Sequence, residues 1–287
     1  MKKILYLLPV FFFLLAGVVM AADPQLVTDP RQAFITGSIV VKGEGAAPAG
    51  KAMTAAQKRI MALRAAKVVA LREIAEIVEG VAISGDTLVV NAAAESDVIK
   101  ATVQGLVKGA QIVKEAYDPM SEMAVVYLAI PMTGPNGLMT ALLPQILPTV
   151  PLSPFPPYQP PVAAPEAPAV VQVVKNYDGL IIDVREQAFK PALINRVITR
   201  NGEIIYDPTK VAQNILVERG AAEYTNDVGK AKALLSERGS SNPVIIKGAG
   251  LVKATDVEIG PDDASSVFTS NQTNNYLEGA KVVFVLK

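Results

Sequence analysis

The sequence predicts an α+β protein: two two-layer α/β-sandwich domains joined by a proline-rich linker. Three observations carry that prediction. Between Thr54 and Gly80 lie 25 residues without Pro or Gly, rich in Ala, Leu, Lys, Arg and Glu, with the period of one long helix. Short β-rich runs bounded by turn residues lie on either side of it. Residues 144–168 hold 10 of the chain's 21 prolines and divide two stretches of globular composition.

The elements follow in order. Lys2 and Lys3, an apolar run from Ile4 to Val19 and small residues at Ala21 and Ala22 make residues 1–21 a secretory signal peptide. An uncleaved anchor is the competing reading, because the run is long for a signal core and short for a membrane span. Residues 33–42 read as a strand, followed by a Gly/Ala/Pro loop. Thr54 with Gln57 three residues on forms a capping box that starts the long helix, roughly 37 Å in length, and Gly80 ends it. At 100° per residue, Ala56, Ile60, Leu63, Ala70, Leu71, Ile74 and Val78 fall on one apolar arc, and Lys67 falls in its middle. Lys67 reads either as a snorkelling stem or as a polar contact to a partner.

Two β-rich runs flank Ser84-Gly85-Asp86, and Ser96 caps a second helix that Gly109 closes. Two further β-rich segments meet at the turn Asp118 to Ser121, so the first domain, residues 33–132, reads β-α-β-α-β-β. The proline tract reads as an extended spacer without helix, about 75 to 80 Å if fully stretched. Pro148 to Pro151, Pro151 to Pro154 and Pro157 to Pro160 fit the PxxP docking pattern weakly. The second domain, residues 170–287, opens with an apolar strand over 177–186. A hairpin about Asn201-Gly202, read as a type I′ turn, follows, then helices through about Leu216 and over 227–238. Residues 243–259 read as a strand or bent strand, residues 262–271 as a short helix, and residues 279–286 as a terminal strand.

Composition narrows the chemistry. Cysteine and histidine are both absent, which removes disulfides, thiolate sites and the commonest general base and metal ligand. The chain has 27 basic and 27 acidic residues without a basic cluster, so nucleic acid is not an expected partner. Gly248 and Gly250 lack the helix and the Lys-Ser pair of a phosphate loop and read as a bend. Asp183 with Glu186 is the one candidate carboxylate pair, whereas Lys247 and Lys253 lack a serine motif. Tyr177, Tyr206 and Tyr224 are scattered, and Asn271-Gln272-Thr273 matches a glycosylation acceptor of no consequence in a bacterial host. No catalytic, cofactor-binding or metal residue is assigned; Lys67 alone is a candidate interaction residue.

A resemblance joins these readings. The ladder Ala56/Ala62/Ala66/Ala70, then Leu71-Arg72-Glu73-Ile74, Gly80-Val81, and Gly109-Ala110 before the last hairpin resemble two bacterial envelope families. These are the twenty-kilodalton outer-membrane lipoproteins and the related N-terminal domain of flagellar assembly protein T. The likeness spans about 100 residues and rests on packing motifs. Lipoprotein members anchor through a Cys after the signal; here position 22 is Ala, which favours a soluble periplasmic or surface-associated protein. The resemblance implies a non-enzymatic assembly or interaction module. Its implied partners are envelope proteins, flagellar basal-body components or a second copy. A periplasmic ligand- or polysaccharide-binding module, with its site in the crevice beneath the long helix at Lys67, is the alternative.

Overall fold

Asp29, Pro30 and Gly37 decide how the ordered chain starts. The computed structural model describes residues 24–49, 52–148, 156–160 and 176–287; the signal-peptide reading therefore lies outside the described residues. The Asp29 carboxylate accepts from the Gln32 amide, Pro30 stands in the first turn, and Gly37 ends the turn with φ 71°. A short helix α1 (Pro30–Thr36) therefore occupies the start of the expected strand, and β1 begins only at Ser38 and runs to Ala46. Proline suits a first helical turn because its missing N–H has no partner there anyway.

The long helix α2 spans Ala55–Glu79 with both capping-box hydrogen bonds present. Its buried line is Ala62, Ala66, Ala70, Ile74, Ile77 and Val78. Gly43 and Gly45 of β1 explain why. A Cβ at Gly43 would lie 2.1 Å from the Ala66 carbonyl oxygen, and one at Gly45 would lie 2.3 Å from the Ala66 amide nitrogen. Backbone presses on backbone, so the contact follows the small residues four apart rather than the bulkiest ones. Ala56 and Ile60, expected inside, are exposed, Ile60 to 50%. Lys67 stands one step round from Ala66, half-buried on the flank and not in the middle of the contact. Along the glycine seam α2 lies directly against β1.

Beyond Gly80 come β2 (Ala82–Ser84) and β3 (Thr87–Leu88), a hairpin turned at Gly85 with φ 61°. Val89, Val90 and Asn91, expected to extend it, instead open a helix α3 (Val89–Glu95). Ser96 caps α4 (Asp97–Lys108) through the Ile99 amide. The hairpin β4 (Gln111–Asp118) and β5 (Met123–Pro131) closes on the Asp118 carboxylate, which takes the Met120 amide and the Ser121 hydroxyl. The sheet has the order β1-β5-β4, antiparallel throughout, with α2 across one face. The expected β-α-β-α-β-β order thus gains α1 and α3, and the strand expected between the two helices becomes the β2–β3 pair.

Pro144 was expected to exclude helix, yet it lies inside α5 (Leu138–Ile146). Leu138, Met139, Leu142, Leu143 and Ile146 are all buried there, and burial of five large apolar side chains outweighs roughly 3 kcal/mol for an interior proline.

The second domain is built from two four-stranded sheets. One has the order β10-β6-β13-β9 and is wholly parallel: Val244–Lys247, Leu180–Asp183, Val282–Val285 and Glu223–Thr225. The other has the order β11-β12-β7-β8: Gly250–Lys253, Asp256–Ile259, Val197–Thr199 and Ile204–Tyr206. The single bent strand expected over 243–259 is therefore three strands, and Gly248 lets the chain pass from one sheet to the other. The β7–β8 turn is not type I′. Only Gly202 has positive φ, 79°, and the Thr199 amide bonds to the Glu203 carbonyl, closing a three-residue loop. The helices are α6 (Gln213–Arg219), preceded by a 3₁₀ turn at Pro208–Lys210, α7 (Val228–Glu237) capped by Asp227, and α8 (Pro261–Asn274).

The two domains touch directly, so the proline tract does not hold them apart. The Leu193 and Ile194 amides donate to the Ala82 and Ile83 carbonyls at 2.9 Å, and the Gly85 amide donates to Thr255 Oγ1 at 2.6 Å. Arg31 reaches the Lys287 carbonyl at 2.9 Å. Rings continue the contact: Phe34 of α1 meets Tyr224 edge-on at 5.0 Å, Tyr224 stacks on Phe284 at 5.8 Å, and Phe284 stacks on Phe189 at 4.9 Å.

Gly43→Ala is expected to lower stability by about 2 kcal/mol or more through overpacking, a fall in Tm of roughly 4–8 °C for a chain of this size. Gly105→Ala is the control, since a Cβ there meets nothing and a helical Gly gains about 0.5–1 kcal/mol on becoming Ala. Thermal melts followed by circular dichroism should move in opposite directions.

Candidate functional site

The residues singled out by chemistry do not converge. The Arg185 guanidinium grips Asp183 at 2.6 and 2.9 Å and holds its carboxyl below the usual range against the opposing effect of burial. Glu186 faces Lys247 instead, at 3.6 Å on the open surface. Gly248 is a bend: its amide donates to the Asp183 carbonyl and its carbonyl accepts from the Gln187 side chain. Lys253 lies along Gly85 of the first domain's hairpin. Tyr206 and Tyr224 are buried with their hydroxyls on the Ala221 and Ala192 carbonyls, and burial pushes both phenols up. Asn271 is half-buried in α8, where its side chain accepts from the Leu277 amide. Among the described residues no group of three or more acidic side chains could hold a metal ion.

What does converge is a groove at the edge of the second sheet. The order β11-β12-β7-β8 leaves β8 outermost, and residues 156–160 of the proline tract lie along it. The Tyr158 amide donates to the Ile204 carbonyl at 3.0 Å, and the Ile204 amide donates to the Pro156 carbonyl at 2.8 Å. The Gln159 amide reaches Glu203 Oε1 at 3.4 Å. Tyr158 is 9% exposed and sets its ring edge-on to Phe268 of α8, 5.2 Å between centroids. Prolines 156, 157 and 160 face solvent.

Beside Tyr158 the groove stays open as a cavity of about 200 Å³. Pro157 and Tyr158 form one wall and Tyr206, Phe268 and Leu277 the other; Lys210 and Glu278 lie at the rim. Beneath it, Asp207 accepts from the Thr209 amide and hydroxyl and faces the buried Arg196 guanidinium at 3.5 Å. Burial pushes the nearby Asp256 carboxyl up, opposed by the Arg196 amide and charge. These charges are committed to one another, so the groove offers apolar surface and strand-edge hydrogen bonds rather than a reactive group.

Asp178 pins the chain where it re-enters the second domain. Burial works against its charge and is the largest single influence, yet the Ser241 and Asn242 amides and the Ser240 and Ser241 hydroxyls together bring it down to about 2.

Residues 179–287 form the unit just described, from β6 to β13. That stretch matches the family model described as Treponema pallidum Tp0624, second domain. The matched span is about two fifths of the chain and leaves the first domain and the proline tract outside it. No curated protein matches the chain. The β8 edge therefore belongs to the matched domain, whereas the segment lying on it comes from before its start.

Sequence reasoning did not find Tyr158 or Phe268. The available signal was an aromatic residue inside a proline tract, an apolar side chain that a solvated spacer does not require.

Asp178 has a depressed folded pKa, so its contribution is present above about pH 4 and lost as pH falls toward 2. The stability gap between wild type and Asp178→Asn should be open at pH 6 and shrink between about pH 4 and pH 2 in urea titrations.

Proposed function

We propose that this chain is a non-enzymatic exported envelope protein that works as a structural, assembly or protein-interaction module. The carrying observation is the β8 edge, which takes up an extended proline-rich segment by backbone pairing and one buried ring. That is how strand-addition modules hold peptides: main-chain bonds give the affinity and a pocket gives the choice. Support also comes from Asp207 beneath the groove, which faces the buried Arg196 guanidinium instead of standing as a free carboxylate. Export rests on residues 1–21, and association with the flagellum rests on the likeness of the first domain to flagellar assembly protein T. Among the described residues no helix is long and apolar enough to cross a membrane.

Fractionation of cells carrying the full chain with a C-terminal tag is expected to place it in the periplasm or on the outer membrane, with Ala22 as its N-terminus by Edman sequencing. Crosslinking in those intact cells is expected to join it to other envelope proteins. Recovery of basal-body components would establish the flagellar role; a cytoplasmic chain still bearing Met1 would end the proposal.

A further inference from the structure

We infer that the β8 edge and the cavity beside it form a binding site for an extended peptide carrying proline and an aromatic residue, and that residues 156–160 are a resident that such a peptide displaces. The inference rests on the interaction-module reading and names its ligand.

The first support is where the occupant comes from. The edge lies inside residues 179–287 and the segment on it lies outside them, so the groove is a feature of the matched domain that another stretch of chain fills. The second is how few backbone donors the segment brings to the edge. Pro156, Pro157 and Pro160 have no N–H to donate, which leaves Tyr158 and Gln159 as the donors of the segment. Among the described residues, exchange must replace two backbone bonds, one longer bond to Glu203 and the burial of the Tyr158 ring against Phe268. Backbone bonds to a strand edge do not depend on sequence, so another peptide reproduces them at once.

The third support is the space left over. The resident segment fills only part of the groove, and about 200 Å³ remain between Tyr158 and the wall of Tyr206, Phe268 and Leu277. Pockets for free small molecules usually measure about 300–1,000 Å³, so this remainder suits one further apolar side chain of a peptide. A proline-rich ligand is favoured over a flexible one because it is already extended and loses little conformational freedom on binding. Lys210 and Glu278 at the rim carry opposite charges, so neither an acidic nor a basic ligand is singled out.

The probe is a fluorescein-labelled synthetic peptide of residues 151–160, read by fluorescence anisotropy against the purified full chain. In wild type the resident segment competes and weakens apparent binding by the fraction of time the groove is filled. Tyr158→Ala releases the resident and is expected to bind the probe about tenfold more tightly than wild type. Adding Phe268→Ala, or replacing Tyr by Ala in the probe, should abolish that gain. A melt confirms the fold of each variant, and should Tyr158→Ala not fold, replacement of residues 156–160 by Gly and Ser takes its place. Equal binding by wild type and the released variant, or equal binding of the probe without its Tyr, overturns the inference. The assay uses purified protein and is blind to compartment, so its failure removes the groove's ligand while leaving export and crosslinking to be judged on their own.

Discussion

The close approach of β1 and α2 governs the first domain. Gly43 and Gly45 present bare backbone, Ala62, Ala66 and Ala70 present single methyl groups, and the helix settles near enough for a Cβ to collide with it. Dispersion falls steeply with separation, so a seam of small residues gains by proximity what it lacks in bulk. The seam also fixes the direction of α2. Its first turn lies beside the β4–β5 turn, where Lys58 meets Glu122 at 2.5 Å, and its last turn delivers the β2–β3 hairpin to the second domain. The interface between domains is thus set by a contact inside one of them.

That interface is both apolar and hydrogen-bonded. The rings of Phe34, Tyr224, Phe284 and Phe189 run from α1 into the parallel sheet, and the hairpin carbonyls meet amides that would otherwise be buried alone. Buried polar groups beside it are satisfied in the same way. Arg238 places its guanidinium on the Ala280 and Arg219 carbonyls and on Glu223, and Asn195 joins the Ala192 amide to the Thr255 carbonyl. An unmet buried donor costs about 1–3 kcal/mol, so the Leu193 and Ile194 bonds favour one arrangement of the halves, while the Arg238 and Asn195 links hold the second domain's side of it in shape.

Elements governed by their own residues were legible in the sequence. The box of Thr54 and Gln57, the cap at Ser96 and the turn at Asp118 fall where local chemistry places them. Elements governed by distant packing were not. Residues 33–36 have strand-like composition but follow a helix cap, and Pro144 stays helical because five neighbours are buried by other parts of the chain. The groove was hidden for a similar reason. Nothing in Ile204–Tyr206 says that this strand lies at the edge of its sheet; that follows from β12 pairing with β7, 57 residues away or more.

The run of rings from Phe34 to Phe189 has a further consequence for how the molecule comes apart. Phe284 lies on an inner strand of the parallel sheet and Tyr224 on its edge strand β9, and one neighbour of Tyr224 belongs to the first domain. Losing the first domain would bare that ring and the amides of Leu193 and Ile194 together. A chain whose composition divides in two is therefore coupled into one cooperative unit, and partial unfolding from either end is disfavoured by the half that stays folded.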